Sequence, residues 1–220
     1  MARAPAGHVT GAPGGGLHAD CNDPDAMGTM LARLDVETRP YHASADGLWR
    51  DLMEGSATPA TYMHHLVRVY GFEAPLEAAL AYTPGLSRVI DVRSRVRSGL
   101  IARDLLGLGI SAAKIAELPQ SMIAPFGSVA EALGWMYVSE RATNLHEPVR
   151  RDLVARFPQL AGATSYLAAG GQARWNELAD VLETYVQTRA LQQQVVSGAR
   201  DAFRCALEWF RGREAVARGA

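Results

Sequence analysis

Histidine and cysteine are the residue types most able to do chemistry in this chain, and their spacing limits what that chemistry can be. Cys21 and Cys205 lie near opposite ends of the sequence, so neither a Cys-x-x-Cys zinc pair nor a disulfide framework is predicted. His64 and His65 are adjacent, and adjacent side chains on a helix point about 100° apart, so the two cannot chelate one metal together. His42 differs from both because it stands within an apolar stripe.

The stripe around His42 recurs at spacings of three and four residues, as on one face of a helix. Its members are Leu31, Leu34, Thr38, His42, Ala45, Trp49 and Leu52. A neutral imidazole on such a face is able to ligate a metal, but it is more often a buried histidine with an ordinary hydrogen bond. The spacing by itself therefore leaves both interpretations open and favours the second.

The elements that must position these residues are predicted to be helices. Helical periodicity starts at Met27, and no segment shows the sustained strict alternation of a half-buried strand. The predicted fold class is all-α, a single domain of seven or eight helices. They are expected over about 28–53, 58–81, 86–107, 128–147, 166–185 and 188–211, with a short helix that Ser111 caps.

Local signals set the boundaries of these helices. Thr58-Pro59 supplies an N-cap followed by proline at the first helical position, and Ser128-Val-Ala-Glu131 has the form of a capping box. Pro40 predicts a break or kink in the first helix, and Pro148 ends or kinks the helix that Ser128 opens. The Gly170-Gly171 pair is expected to interrupt the helix before the last one.

Composition places the chain among ordinary globular proteins. Its 220 residues are 48% hydrophobic and 20% charged, enough for a packed core. Lys and Arg number 22 against 23 Asp and Glu, so the net charge is -1. This balance argues against a general binder of nucleic acid or of membrane surfaces, which would usually carry a basic excess.

The ends of the chain differ in composition from its middle. Residues 1–25 are rich in Gly, Ala and Pro and lack apolar periodicity, so we expect a disordered leader, a helical domain over 26–213 and a tail over 214–220. The leader has no apolar core of a signal peptide, and no later segment is apolar enough to span a bilayer. We therefore expect a soluble cytoplasmic protein.

Four segments in order along the chain resemble the biliverdin-producing heme oxygenases of bacteria. In that family a Leu-x-x-x-Thr-x-x-x-His stretch and a Leu-Gly-Trp-x-Tyr-Val-x-Glu segment lie on two different helices. The four segments are LDVETRPYHASAD (34–46), TPATYMHHLVRVYGFEAPLEAAL (58–80), EALGWMYVSERAT (131–143) and SYLAAGGQARWNEL (165–178). With the closing helix, the resemblance covers residues 27 to 213, almost the whole predicted domain.

The resemblance implies a site and a reaction. His42 matches the proximal heme ligand, and heme, as both substrate and cofactor, would lie between its helix and a distal helix over 128–147. External electrons, from a ferredoxin or a reductase-like donor, and O2 would convert heme to biliverdin, carbon monoxide and iron. Catalytic roles are expected for Arg141 and Asn144. The other expected heme contacts are Thr38, Ala45, Glu140, Leu145, His146 and Tyr166.

The distal helix departs from the family pattern. The family has glycines shortly after the residue that matches Glu140, and their backbone lies close to the porphyrin. Here Arg141 and either Leu145 or His146 stand in their place. These side chains would crowd the pocket, or Pro148 would supply the kink and let His146 reach the iron as a sixth ligand. A solvent-exposed His146 in a turn is the interpretation we favour. The departure also favours an alternative function, a non-catalytic heme- or bilin-binding carrier or sensor.

Heme propionates need cations, and arginines other than Arg141 are candidates to bind them. The candidates by position for the propionates are Arg33, Arg39, Arg174 and Arg200. A basic helix face, expected to be solvated or to dock an acidic electron donor, is formed by Arg88, Arg93, Arg95, Arg97 and Arg103.

Two other chemistries known on similar folds find less support. A di-iron oxidase needs Glu-x-x-His pairs, and the sequence contains none. A thiaminase-type site needs a cysteine in the pocket, and Cys205 is predicted to be a small core residue instead.

Overall fold

The structure, a computed structural model, describes residues 29–218 and the side chains of residues 30–212. The predicted leader therefore lies outside the described residues. Nine α-helices and no strand occur in the described part, which confirms the all-α prediction and adds one helix to the expected number. The helices are α1 Thr29–Arg50, α2 Pro59–Ala81, α3 Ser98–Gly107, α4 Ala112–Ala116, α5 Val129–Ala142, α6 His146–Arg156, α7 Ser165–Ala168, α8 Gln172–Tyr185 and α9 Arg189–Arg218.

Within residues 29–218, no helix is both long enough and apolar enough to cross a membrane.

Helix α1 runs through Pro40 without the predicted interruption. Proline cannot donate to the carbonyl four residues earlier, which here is that of Val36. Val36 is 59% exposed, so water can donate a hydrogen bond to its carbonyl group and the helix can continue. The opposite face of α1, with Leu31, Leu34 and Trp49, is buried as the apolar stripe predicts.

Helix α2 tolerates Pro75 for a different reason. The carbonyl that Pro75 leaves free is that of Gly71, and it accepts a hydrogen bond of 2.7 Å from the backbone N–H of Ser121. A side chain at Gly71 would lie 2.5 Å from the Pro119 carbonyl and 2.6 Å from the Trp209 indole. The glycine and the proline together dock the segment before α5 onto the middle of α2.

The prediction of a helix over 86–107 was wrong in its first half. The chain there forms two 3-10 turns, Leu86–Arg88 and Arg93–Arg95, and α3 begins only at Ser98. The Asp91 carboxylate accepts hydrogen bonds from the next turn's N–H groups, as an Asx turn does. The irregular path carries Arg95 and Arg97 into the core, where they are 4% and 2% exposed.

The expected basic helix face is therefore absent from this segment. Arg88, Arg93 and Arg103 are exposed, but Arg95 and Arg97 point inward to buried carboxylates. Tertiary ion pairing has overridden the local helical pattern.

Helices α5 and α9 form the closest helix packing in the molecule. A Cβ atom at Gly134 would lie 2.2 Å from the Val195 carbonyl oxygen, and one at Gly198 would lie 2.5 Å from the Glu131 carbonyl oxygen. Two glycines facing opposite backbones let the helices approach to near contact. This packing sets the position of the α5 residues that follow Gly134.

The predicted local signals at the other helix ends are confirmed. Thr58 and Ser128 cap α2 and α5 through their side-chain oxygens, and Ser111 caps α4. A 3-10 turn over Thr143–Leu145 separates α5 from α6, so the break precedes Pro148 as proposed. The chain also leaves the helical state at Gly170 and Gly171, between α7 and α8.

Candidate functional site

An apolar cavity lies between four helices, α1, α2, α5 and α9. Its free volume is about 60 Å³, and it opens to solvent on one side. Small and apolar side chains dominate its walls, which suits a flat apolar ligand. The lining residues that the argument uses are Ala45, Asp46, Trp49, Glu73, Ser139, Arg141, Ala142, Phe203 and Phe210.

His42 lies at the edge of this cavity, one helical turn before Ala45 and Asp46. Its ring centroid is 5.7 Å from that of Phe203, which belongs to the cavity wall. The His42 side chain is 14% exposed. His42 does not itself line the cavity, but it lies on the predicted face of α1 and packs on the wall residue Phe203.

Hydrogen bonds define the present state of the His42 imidazole. Its Nε2 atom is 2.9 Å from the Thr38 hydroxyl oxygen, and that hydroxyl is 2.7 Å from the Leu34 carbonyl, to which it donates. Because Thr38 has one proton to give, His42 Nε2 donates to Thr38 in this arrangement. Nδ1 lies 3.7 Å from the Asp35 carboxylate. If Nε2 bound a metal, the proton would belong on Nδ1, where Asp35 is placed to accept it.

The His42 imidazole is held in the neutral form that ligation requires. Burial lowers the pKa of His42 below its usual value, and the Arg141 guanidinium lowers it further. Asp35 and Asp46 act in the opposite direction with smaller effect. A neutral imidazole at pH 7 follows.

Asp46 and Arg141 form an ion pair across the cavity, from α1 to α5. The two Arg141 Nη atoms donate to the two Asp46 oxygens over 2.6 and 3.2 Å, a bidentate arrangement. Each side chain is 17% exposed. Arg141 thus places a charged side chain in the cavity wall.

The second polar feature of the cavity is Glu73 with Ser139. The Ser139 hydroxyl donates to the Glu73 carboxylate over 3.1 and 3.2 Å and accepts from Arg97 behind the wall. Glu73 is 5% and Ser139 8% exposed. This pair connects the cavity to a buried ionic network.

Arg97 is the centre of that network. Burial would lower the pKa of Arg97, but the Glu73 carboxylate, Tyr166 and Glu140 raise it above its usual value. Glu140 accepts from Arg95 over 3.0 Å and lies 4.0 Å from Arg97. The network joins α2, α5 and the loop before α3, so its first role is structural.

A group of aromatic and histidine rings packs behind Trp49, outside the cavity wall. Its indole is 4.5 Å from the ring centroid of His65 and 4.7 Å from that of His146, and His146 is 4.7 Å from Tyr166. Burial lowers the pKa of His65 to about 3 and moves the pKa of His146 well below 6.5. Both rings are therefore neutral and belong to the packed interior.

The predicted site residues divide into two groups in space. Ala45 and Arg141 line the cavity, and His42 and Thr38 lie beside it on α1. The remaining five lie outside its wall: Glu140 in the ionic network, Leu145 against the core, His146 and Tyr166 behind Trp49, and Asn144 at a separate polar cavity of about 290 Å³. His146 is 0% exposed, so the favoured expectation of a solvent-exposed turn residue was wrong.

The arginines proposed for propionates are also elsewhere. Arg33 donates to Gln192, Arg200 pairs with Glu37, and Arg174 lies 3.7 Å from Glu140. Arg39 is 69% exposed. Within residues 30–212, Arg141 is the one basic residue that lines the cavity.

Sequence reasoning missed Asp46, Glu73 and Ser139. Asp46 lies four residues after His42, the spacing of neighbours on one helix face, and that spacing is a signal that could have identified it. Glu73 and Ser139 meet only through the packing of α2 on α5, which no local pattern reports.

The buried histidines predict an acid-labile fold. As pH falls below 6.5, the unfolded chain binds protons that folded His65 cannot, so the free energy of unfolding decreases from about pH 7 downward. With a folded pKa of about 3, His65 alone accounts for about 2 kcal/mol lost by pH 5. Urea unfolding measures the free energy of unfolding at pH 7 and at pH 5. The difference between the two values should be about 2 kcal/mol smaller in His65→Leu than in the natural chain.

The adjacent His64 provides the control, since it is exposed. His64→Leu should keep the whole pH dependence of the natural chain. An unchanged difference between pH 7 and pH 5 in His65→Leu would contradict the assignment.

The fold and cavity together define an all-α protein with an apolar cavity between its helices and a neutral histidine beside that cavity. A family model for heme oxygenase matches residues 29–212, and the chain therefore belongs to the heme oxygenase family. No curated protein matches the sequence.

A solved structure supports the same fold. The heme oxygenase of Neisseria meningitidis, crystallised with NO and CO bound, superposes with a TM-score of 0.62 and 18% sequence identity. The match covers 81% of this chain and 90% of that one.

Proposed function

We propose that the chain binds heme in the cavity between α1, α2, α5 and α9 and opens it oxidatively to biliverdin, with release of carbon monoxide and iron. Electrons would come from an external donor, a ferredoxin or a reductase-like protein, and O2 would be the oxidant. The observation that carries this proposal is the neutral His42 at the edge of the apolar cavity between these helices.

The residues present fit heme in kind. The aromatic rings of Phe203 and Phe210 and the small Ala45 and Ala142 make an apolar wall against which a flat plate can pack. The free volume of about 60 Å³ is smaller than heme, so these side chains would have to move apart as heme enters. Bound heme supplies both the redox chemistry and the ring that is oxidised. His42 would hold the iron through Nε2 after releasing Thr38.

Each surrounding group has a role that its contacts support. Asp35 would accept the proton of His42 Nδ1 and fix the ring orientation. Phe203 would keep water from the histidine side of the cavity. Ser139 and Glu73 place a hydroxyl and a carboxylate in a mostly apolar wall, and the Ser139 hydroxyl donates to the Glu73 carboxylate.

A specific observation favours a second candidate, a heme- or bilin-binding protein without turnover. The Asp46–Arg141 pair occupies the side of the cavity where the resembled enzymes have glycine backbone. If these side chains stay in place, the approach of O2 would be obstructed while a tetrapyrrole is still held.

One experiment separates the two functions. Hemin is titrated into the protein, an electron donor is added under air, and absorbance is followed. The oxygenase proposal predicts a saturable Soret band that decays as the long-wavelength absorption of biliverdin appears. A Soret band that persists through the same treatment would exclude turnover and leave the binding function.

A further inference from the structure

The Asp46–Arg141 ion pair has features that a purely structural brace would not need. Both side chains are 17% exposed, so the pair is mostly buried but remains accessible from the cavity. Helices α1 and α5 each pack on α9, so the pair is not required to bring them together. Its position in the cavity wall is what distinguishes it.

Arg141 is the one basic side chain lining the cavity among residues 30–212. Its guanidinium is planar, permanently charged and shaped for bidentate contact with a carboxylate. The other polar wall group, Glu73 with Ser139, carries negative charge and is tied to Arg97. An anionic group on a ligand that enters this cavity therefore has Arg141 as its available cation.

Asp46 can release Arg141 without becoming an unpaired buried carboxylate. Arg50, one turn further along α1, lies 3.8 Å from the Asp46 carboxylate and is 61% exposed. Since Asp46 is itself partly exposed, water can also solvate it. When Arg141 leaves, the Asp46–Arg50 pair therefore replaces the Asp46–Arg141 pair, and no buried charge is left without a partner.

We propose that Arg141 acts as an exchangeable latch that selects for a carboxylate-bearing ligand: it leaves Asp46 and binds a carboxylate of the incoming tetrapyrrole. This inference rests on the proposed function and concerns the specificity of the same site. Ligands without a free carboxylate have to leave the latch closed and bind against it. Asp46 competes with the ligand carboxylate for Arg141, so it weakens binding of every ligand that uses the latch.

The test compares hemin with hemin dimethyl ester, which lacks free carboxylates, by equilibrium Soret titration. The natural protein should bind hemin roughly tenfold more tightly than the ester. In Arg141→Met this preference should disappear, because hemin affinity falls to that of the ester. In Asp46→Asn, hemin affinity should rise several-fold while ester affinity stays the same.

Arg151→Met is the matched control, since it removes an exposed positive charge on α6, outside the cavity wall. It should leave the preference for hemin unchanged. Retention of the preference in Arg141→Met, or weaker hemin binding in Asp46→Asn, would overturn the latch while leaving heme binding intact. Absence of a Soret band for either ligand in the natural protein would overturn the proposed function and the latch together.

Discussion

Replacing Arg97 by methionine is expected to lower the free energy of unfolding by about 3–5 kcal/mol, the largest loss for any single change considered. Arg97 is 2% exposed and lies 3.4 Å from the Glu73 carboxylate, and its guanidinium also donates to Ser139. Without it, Glu73 is a buried carboxylate that has lost its cation. Urea unfolding at pH 7 measures the loss.

The controls for this variant separate a buried charge from a general effect of losing an arginine. Arg93→Met changes an exposed arginine of the same segment and should stay within about 0.5 kcal/mol of the natural chain. Glu73→Gln in the Arg97→Met background should restore roughly 1–3 kcal/mol, because the stranded charge is removed. No restoration would mean that Arg97 acts through packing and not through Glu73.

Gly134→Ala is expected to cost about 3 kcal/mol, the upper part of the range for overpacking. The added methyl group would meet backbone atoms of α9, the Val195 oxygen at 2.2 Å and the Ala199 nitrogen at 2.6 Å, which cannot rotate away. Helices α5 and α9 would have to separate, and the cavity wall on α5 would move with them. Thermal and urea unfolding measure the cost.

Gly47→Ala is the matched control for this helical glycine. A Cβ atom at Gly47 meets nothing within 4 Å, so the substitution gains helix propensity, about 1 kcal/mol of stabilisation. The two variants should therefore shift stability in opposite directions. Equal effects would show that the α5–α9 crossing does not depend on the missing side chain at Gly134.

Much of the fold could be predicted from the sequence because its signals are local. Thr58-Pro59 and Ser128 cap helices wherever the rest of the chain lies, and the pair Gly170-Gly171 lies in the break between α7 and α8. The segment 86–97 could not be predicted in this way. Its arginines satisfy carboxylates on other helices, and that tertiary pairing replaces the helix that the local pattern favours.

For the candidate site, too, the sequence predicts contacts within one helix but not contacts between helices. His42 and Thr38 lie on one helix face, so their proximity follows from a spacing of four residues, and the structure shows them 2.9 Å apart. The partnership of Arg141 with Asp46 depends on how α5 crosses α1, which the sequence does not display. The burial of His146 behind Trp49 likewise results from packing among three separate segments.

The proposed heme site depends on His42 more than on any other residue. The cavity has other apolar contacts to offer a tetrapyrrole, but within the described residues His42 is the histidine at the edge of the cavity on the predicted face of α1. His65 and His146 are packed against Trp49 with pKa values held low by burial. Loss of the His42 imidazole should thus remove the iron ligand and leave the cavity.

The most direct test is a hemin titration of the natural protein and of His42→Ala, with imidazole added to the variant afterwards. The account predicts a saturable Soret band in the natural protein, about a hundredfold weaker hemin binding in His42→Ala, and recovery of the ligated spectrum when free imidazole fills the vacated position. A His42→Ala protein that keeps the natural spectrum and affinity would contradict the assignment of His42 as the iron ligand.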